Sequence, residues 1–182
     1  MVQRALVWFR RDLRVRDNTA LHHAARDSRG GVVGLYLVTP EAWKAHDDAP
    51  AKVDFWLRNV ASLSRALAGL GIPLRVVTVA RGEDVTEVVL REARGCGCDA
   101  LYFNREYEVD EARRDARTVA RFERESLKVE GFDDRVAMAP GAVLTGAGTP
   151  YTVFTPFRAR WYEGLKKKGW AVLAAPSRQP AT

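Results

Sequence analysis

Cysteine, histidine and long apolar runs are all scarce in this chain. Its two cysteines, Cys96 and Cys98, sit in Gly95-Cys96-Gly97-Cys98. A one-residue spacer suits neither a zinc knuckle nor a thioredoxin-type CxxC, so ordinary reduced thiols near a turn are expected. The three histidines, His22, His23 and His46, share no metal-ligand spacing with them. No apolar run approaches the roughly 20 residues that cross a bilayer, and the start of the chain lacks an apolar signal-peptide core. A cytoplasmic protein without membrane contact is therefore expected. GxGxxG and GxxxxGK are missing, which argues against a nicotinamide enzyme or an ordinary ATPase. GxSxG and HExxH are missing too, which leaves hydrolytic and metal chemistry little to stand on.

What is present suits one ordinary domain. The chain has 182 residues, 47% of them hydrophobic, enough for a real core and too few for two large domains. Its 29 Lys plus Arg against 23 Asp plus Glu leave a net charge of +6. Such an excess favours anionic partners without specifying nucleic acid.

Apolar runs at Arg4 to Phe9 and Val32 to Val38 predict strands buried on both faces. Between them a helix is expected from Asn18 to Arg26, capped by Asp17 or Asn18. Lys52 to Leu70 places Val53, Trp56, Leu57, Val60, Leu63, Leu67 and Leu70 on one helical face, stopped by Gly71 and Pro73 before the strand "LRVVTVA". Asp84 caps a further helix, Gly95 to Cys98 break it, and Asp99 to Asn104 form a fourth strand. An amphipathic helix over Asp110 to Lys128 and a short strand around Arg135 to Ala139 complete the series. Strands alternating with helices predict an α/β fold of three layers, Rossmann-like or flavodoxin-like, around a parallel sheet of about five strands. The domain is expected over residues 1–139, with 140–182 as a linker segment. That segment is rich in Gly, Pro and Thr and carries a helix from Pro156 to Lys167. Its last stretch, Ala174 to Thr182, is expected to bury little.

In such a sheet ligands sit beyond the carboxyl ends of the strands. After the fourth strand, "YFNREYEVDEARRD" (Tyr102 to Asp115) crowds Glu106, Glu108, Asp110 and Glu111 at the start of a helix. Two roles stay open: capping that helix, or accepting hydrogen bonds from the ring N–H and amino groups of a heterocycle. After the first strand come Arg10, Arg11, Arg14 and Arg16. They either form a salt-bridge network with Asp12, Asp17 and the acids of the fourth loop, which spacing favours, or face a ligand or another domain. His46 reads as a surface loop residue, and Lys166-Lys167-Lys168 as a solvated helix end. Tyr151, Phe154, Phe157, Trp161 and Trp170 either fold back onto the sheet or belong to an interface.

Three stretches, "LVWFRRDLRVRDNTAL" (Leu6 to Leu21), "YFNREYEVDEARRD" and "YTVFTPFRARW" (Tyr151 to Trp161), resemble the amino-terminal domain of the DNA photolyase and cryptochrome family. With "LYLVTPEAW" and "EGFDDRV" they run in the family's order from residue 4 to about 165. The resemblance implies a domain that holds a light-harvesting antenna, commonly methenyltetrahydrofolate and in some members a deazaflavin or flavin. Carried over by position, folate contacts fall on His46, Asp110 and Glu111. Glu111 would accept from the pterin's amino group and ring N–H. Asp110 stands where the family's bacterial members have asparagine, which removes a donor and keeps an acceptor.

The resemblance further implies that residues 140–182 lead to an FAD-binding helical domain of the same polypeptide. Reduced FAD there would split cyclobutane pyrimidine dimers in damaged DNA, the protein supplying position and the cofactor the chemistry. A monomer is expected, and the 182-residue chain by itself is expected neither to bind FAD nor to repair DNA. A cryptochrome-type photoreceptor, or a stand-alone module for a nucleotide-like ligand, are the alternatives.

Overall fold

The computed structural model describes residues 2–169 and 171–180. Along the chain run β1 (Ala5–Phe9), α1 (Thr19–Asp27), β2 (Val32–Val38), α2 (Pro40–Ala45), α3 (Pro50–Gly69), β3 (Leu74–Thr78), α4 (Val85–Gly95), β4 (Ala100–Asn104), α5 (Val109–Arg124), β5 (Lys128–Phe132) and α6 (Phe154–Lys168). The five strands form one parallel sheet in the order β3-β2-β1-β4-β5. This is the α/β Rossmann-like architecture that the alternating pattern predicts.

Burial follows the period of two. Ala5, Val7 and Phe9 of β1 face α1 and α3, where they meet Leu21, Ala24, Val60, Leu63 and Leu67. Leu6 and Trp8 face the other way, toward Val88, Val89 and Ala93 of α4 and Phe122 of α5. The two apolar faces of β1 thus each take a helical layer, and all five of its residues are buried. Asn18 caps α1 by accepting from the Leu21 N–H at 3.0 Å, and Asp84 caps α4 by accepting from the Thr86 N–H at 2.7 Å.

Three expectations need correction. The last strand lies at Lys128–Phe132 rather than around Arg135 to Ala139. Its sequence, KVEGF, alternates poorly because it is an edge strand with one exposed and four half-buried residues. Helix α5 stops at Arg124 rather than at Lys128, because Ser126 at φ 58° turns the chain out of the helix. Between β2 and α3 there is a short helix, α2, where a loop was expected, so His46 caps a helix end instead of lying in a loop.

The tail is also more engaged than its composition suggests. The Asp17 N–H donates to the Leu173 carbonyl at 2.7 Å, and the Gln179 N–H to the Leu70 carbonyl at 2.8 Å. Residues 171–180 are thereby tied to the loop after β1 at one point and to the α3–β3 corner at another, and Gln179 is buried. The tail aromatics contact one another: Phe157 meets Tyr151 and Phe154, each with ring centroids 6.3 Å apart, and Phe154 stays exposed. Trp170 and residues 181–182 lie outside the described residues. Among those described, no helix is long and apolar enough to cross a membrane.

Candidate functional site

β2 and β3 lie on one side of β1, and β4 and β5 on the other. The loops after β1 and β4 therefore diverge and leave a crevice at the carboxyl ends of the strands. A cavity of about 370 Å³ opens there, in the size range of small-molecule sites. Trp8, Phe9, Tyr36 and Leu37, at the ends of β1 and β2, line it. Trp43 and His46 come from α2 and its cap, Trp56 from α3, Asp84 and Val85 from the start of α4, and Asp110, Glu111, Arg114 and Arg117 from α5.

A network of buried charge holds the β1 and β4 loops together beside this cavity. Arg10 Nη1 lies 3.2 Å from Asp115 Oδ1, and Arg114 Nη2 lies 2.8 Å from Glu106 Oε2 and 2.9 Å from Asp115 Oδ1. Arg10 also donates to the Asn104 carbonyl, and its guanidinium stacks 4.5 Å from the Trp8 ring centroid. Two guanidinium and two carboxylate groups balance one another, which is what permits their burial. Burial pushes the Arg10 guanidinium down against the pull of Asp115 and Glu106. At Arg114 burial is outweighed by Asp115 and Glu106, and the value is raised. Burial, and then the Glu106 charge, raise the Tyr36 phenol, so it presents a neutral hydroxyl.

Nearer the solvent, Arg11 lies 2.6 Å from Glu108 and 3.3 Å from Glu111, and Arg135 lies 3.2 Å from Glu108. Backbone N–H donation, followed by the charges of Arg11 and Arg135, holds the Glu108 carboxyl down to about 2. Arg14 pairs with Asp134 at 2.5 Å. Arg10, Arg11 and Arg14 thus form the network that spacing favours, with Asp134 as a partner that spacing does not suggest. Among the described residues, Arg16 stays exposed and outside the network.

The structure brings all three predicted contacts to one cavity: His46 from the end of α2, and Asp110 with Glu111 from the first turn of α5. Glu111 offers Oε1 to Arg11 at 3.3 Å, and among the described residues its Oε2 has no partner. Asp110 is exposed, 3.7 Å from Arg113. Tyr36, Trp43, Trp56 and Arg117 line the same cavity and are not reached by sequence reasoning. Trp43, three residues before His46 in a segment that follows a strand, was the available signal. Among the described residues, two buried side-chain atoms lack any hydrogen-bond partner, Trp8 Nε1 and Arg10 Nε, and both belong to cavity-lining residues. A buried N–H without an acceptor is costly, and such atoms are uncommon.

A five-stranded parallel sheet with helices on both faces and a cavity at its strand ends defines a Rossmann-like α/β domain, an architecture whose ligand sites lie at the switch point of the strand order. The family model for DNA photolyase matches residues 5–180. The chain is 44% identical over 162 residues to the deoxyribodipyrimidine photo-lyase of Salmonella typhimurium, covering 89% of this chain and 34% of that protein. To the deoxyribodipyrimidine photo-lyase of Escherichia coli it is 40% identical over 171 residues, 94% of this chain and 36% of that protein. Its fold matches the crystal structure of a Synechocystis cryptochrome with a TM-score of 0.82 at 22% identity, over 99% of this chain and 37% of the other. The chain belongs to the DNA photolyase family and corresponds to its amino-terminal domain. It spans about a third of the length of the curated relatives it matches.

Proposed function

We propose that this chain is the antenna-binding domain of a deoxyribodipyrimidine photo-lyase, and that the cavity at the carboxyl ends of β1, β2 and β4 holds a light-harvesting chromophore, methenyltetrahydrofolate in the first instance. The observation that carries this is the meeting of His46 with Asp110 and Glu111, more than sixty residues apart in sequence, at one cavity of suitable size. Donors and acceptors suit a pterin. The free Oε2 of Glu111 can accept from an amino group or ring N–H, and the Tyr36 hydroxyl can donate to a ring nitrogen or carbonyl. A bound antenna would supply absorption of near-ultraviolet light. The chain's own residues supply position, a balanced charge network beneath the ligand and partial exclusion of water.

In this reading residues 140–182 lead into a helical domain of the same polypeptide, which holds FAD and the damaged DNA. The 182-residue chain alone neither binds FAD nor splits pyrimidine dimers. Stoichiometric FAD in the purified chain would contradict this. A cryptochrome-type photoreceptor is the second reading, favoured by the fold likeness to the Synechocystis protein. The 40% and 44% identities to photo-lyases favour the first.

Addition of methenyltetrahydrofolate should produce a red-shifted near-ultraviolet absorption that Glu111→Ala weakens. An unchanged spectrum with the wild-type chain counts against the antenna role.

A further inference from the structure

Among the described residues, α2 contributes none to the buried core. Its one large apolar side chain, Trp43, is half-buried and packs on Trp56, with ring centroids 6.0 Å apart and planes at 46°. Trp56 continues the stripe of α3 that carries Val60, Leu63 and Leu67 into the core, yet it too is only half-buried, because it borders the cavity. Lys52 Nζ sits 4.8 Å from the Trp56 ring centroid and is held there by Asp48 at 2.6 Å. Two indoles therefore face a cavity whose opposite side, on α5, carries the carboxylates of Asp110 and Glu111. An apolar wall of two indoles inclined at 46°, opposite an acceptor edge, suits a planar heteroaromatic ring that stacks by its face on one of them, packs against the other and donates N–H groups from its edge.

We propose that Trp43 and Trp56 form the wall on which the ring of the cavity's ligand stacks, with Trp43 presented by α2. This rests on the antenna reading of the cavity and adds to it the residues that select a planar ring. Because α2 contributes no side chain to the core, replacing Trp43 should alter ligand affinity far more than stability.

The test is a titration of the 182-residue chain with methenyltetrahydrofolate and, separately, with riboflavin, following both tryptophan emission and the ligand's own absorption. Binding should quench the emission and lower the ligand's band intensity, the signature of stacking. Trp43→Leu and Trp56→Leu should each raise Kd by about tenfold. Trp43→Phe should restore most of the affinity, and Trp43→Leu should melt with the wild type. If either ligand binds both leucine variants with the wild-type Kd and band intensity, the stacking wall is overturned while the cavity keeps its ligand. If the wild-type chain binds neither ligand, the antenna reading and the wall fall together.

Discussion

Asn104 Nδ2 donates to Asp12 Oδ2 across 2.7 Å, tying the end of β4 to the loop after β1. Asn18 completes the unit: its Nδ2 donates to Asp12 Oδ2 at 3.1 Å, while its Oδ1 accepts from Asn104 Nδ2 and caps α1. All three side chains are buried. The switch point of the sheet is therefore stitched by polar groups that leave one another satisfied.

Asn104→Ala removes the centre of that unit: it strands the Ala20 N–H, which now donates to Asn104 Oδ1 at 3.0 Å, and takes from Asp12 one donor while Asn18 and the Arg10 N–H remain. A loss of about 1–3 kcal/mol in urea unfolding is expected for each group left unsatisfied. Wild-type stability in this variant would contradict the bonding described.

Arg10→Met leaves Asp115 with the half-buried Arg114, and Glu106 with Arg114 and the more exposed Arg11 and Arg135. Breaking a buried ionic set costs about 3–5 kcal/mol, and Arg10→Lys should recover only part of it because an ammonium cannot occupy the guanidinium's fork or stack on Trp8 equally well. Chemical denaturation of both variants checks the order: wild type, then lysine, then methionine.

Glu108 gives the acid side of the stability profile a marker. Its carboxyl is held to about 2 in the folded chain, against about 4.3 when unfolded. A depressed folded value stabilises the native state above the unfolded value, and that stabilisation is lost as pH falls from about 4.3 toward about 2. The side chain is 43% exposed, so solvent screening keeps the effect small. Melting temperatures of Glu108→Gln should depend less steeply on pH in this window than those of the wild type. Equal slopes would show that Glu108 gains nothing from Arg11 and Arg135.

Gly71, at φ 74°, brings its backbone so near the tail that an added Cβ would lie 2.8 Å from the Gln179 carbonyl oxygen. Gly71→Ala combines left-handed strain with that collision, and backbone oxygen cannot swing aside. Faster proteolysis within residues 171–180 is expected, together with a lower melting temperature. Unchanged cleavage would mean that the tail is held mainly elsewhere.

Much of this was legible in the sequence where periodicity and burial agree. β1 and β4 are apolar on both faces, and α3 carries its stripe from Val60 to Leu67, so parallel sheet and helical cover could be read directly. β5 escaped because an edge strand with Glu130 and Gly131 carries no alternating signal. α2 escaped because six residues with no buried side chain leave no periodic trace. At the site, His46, Asp110 and Glu111 came from motif resemblance, and the structure places them around one cavity. Trp43 and Trp56 could not be paired from sequence, since the chain between them offers no measure of how α2 folds back on α3. The Arg14–Asp134 pair, separated by 120 residues, likewise exists only through the sheet order.

Calorimetric titration of the 182-residue chain with methenyltetrahydrofolate reads out whether this cavity binds a light-harvesting heterocycle through Glu111. Saturable binding at one ligand per chain, weakened about tenfold or more by Glu111→Ala at unchanged melting temperature, is the predicted result. Equal affinity in wild type and variant, or no saturable heat in either, would contradict it.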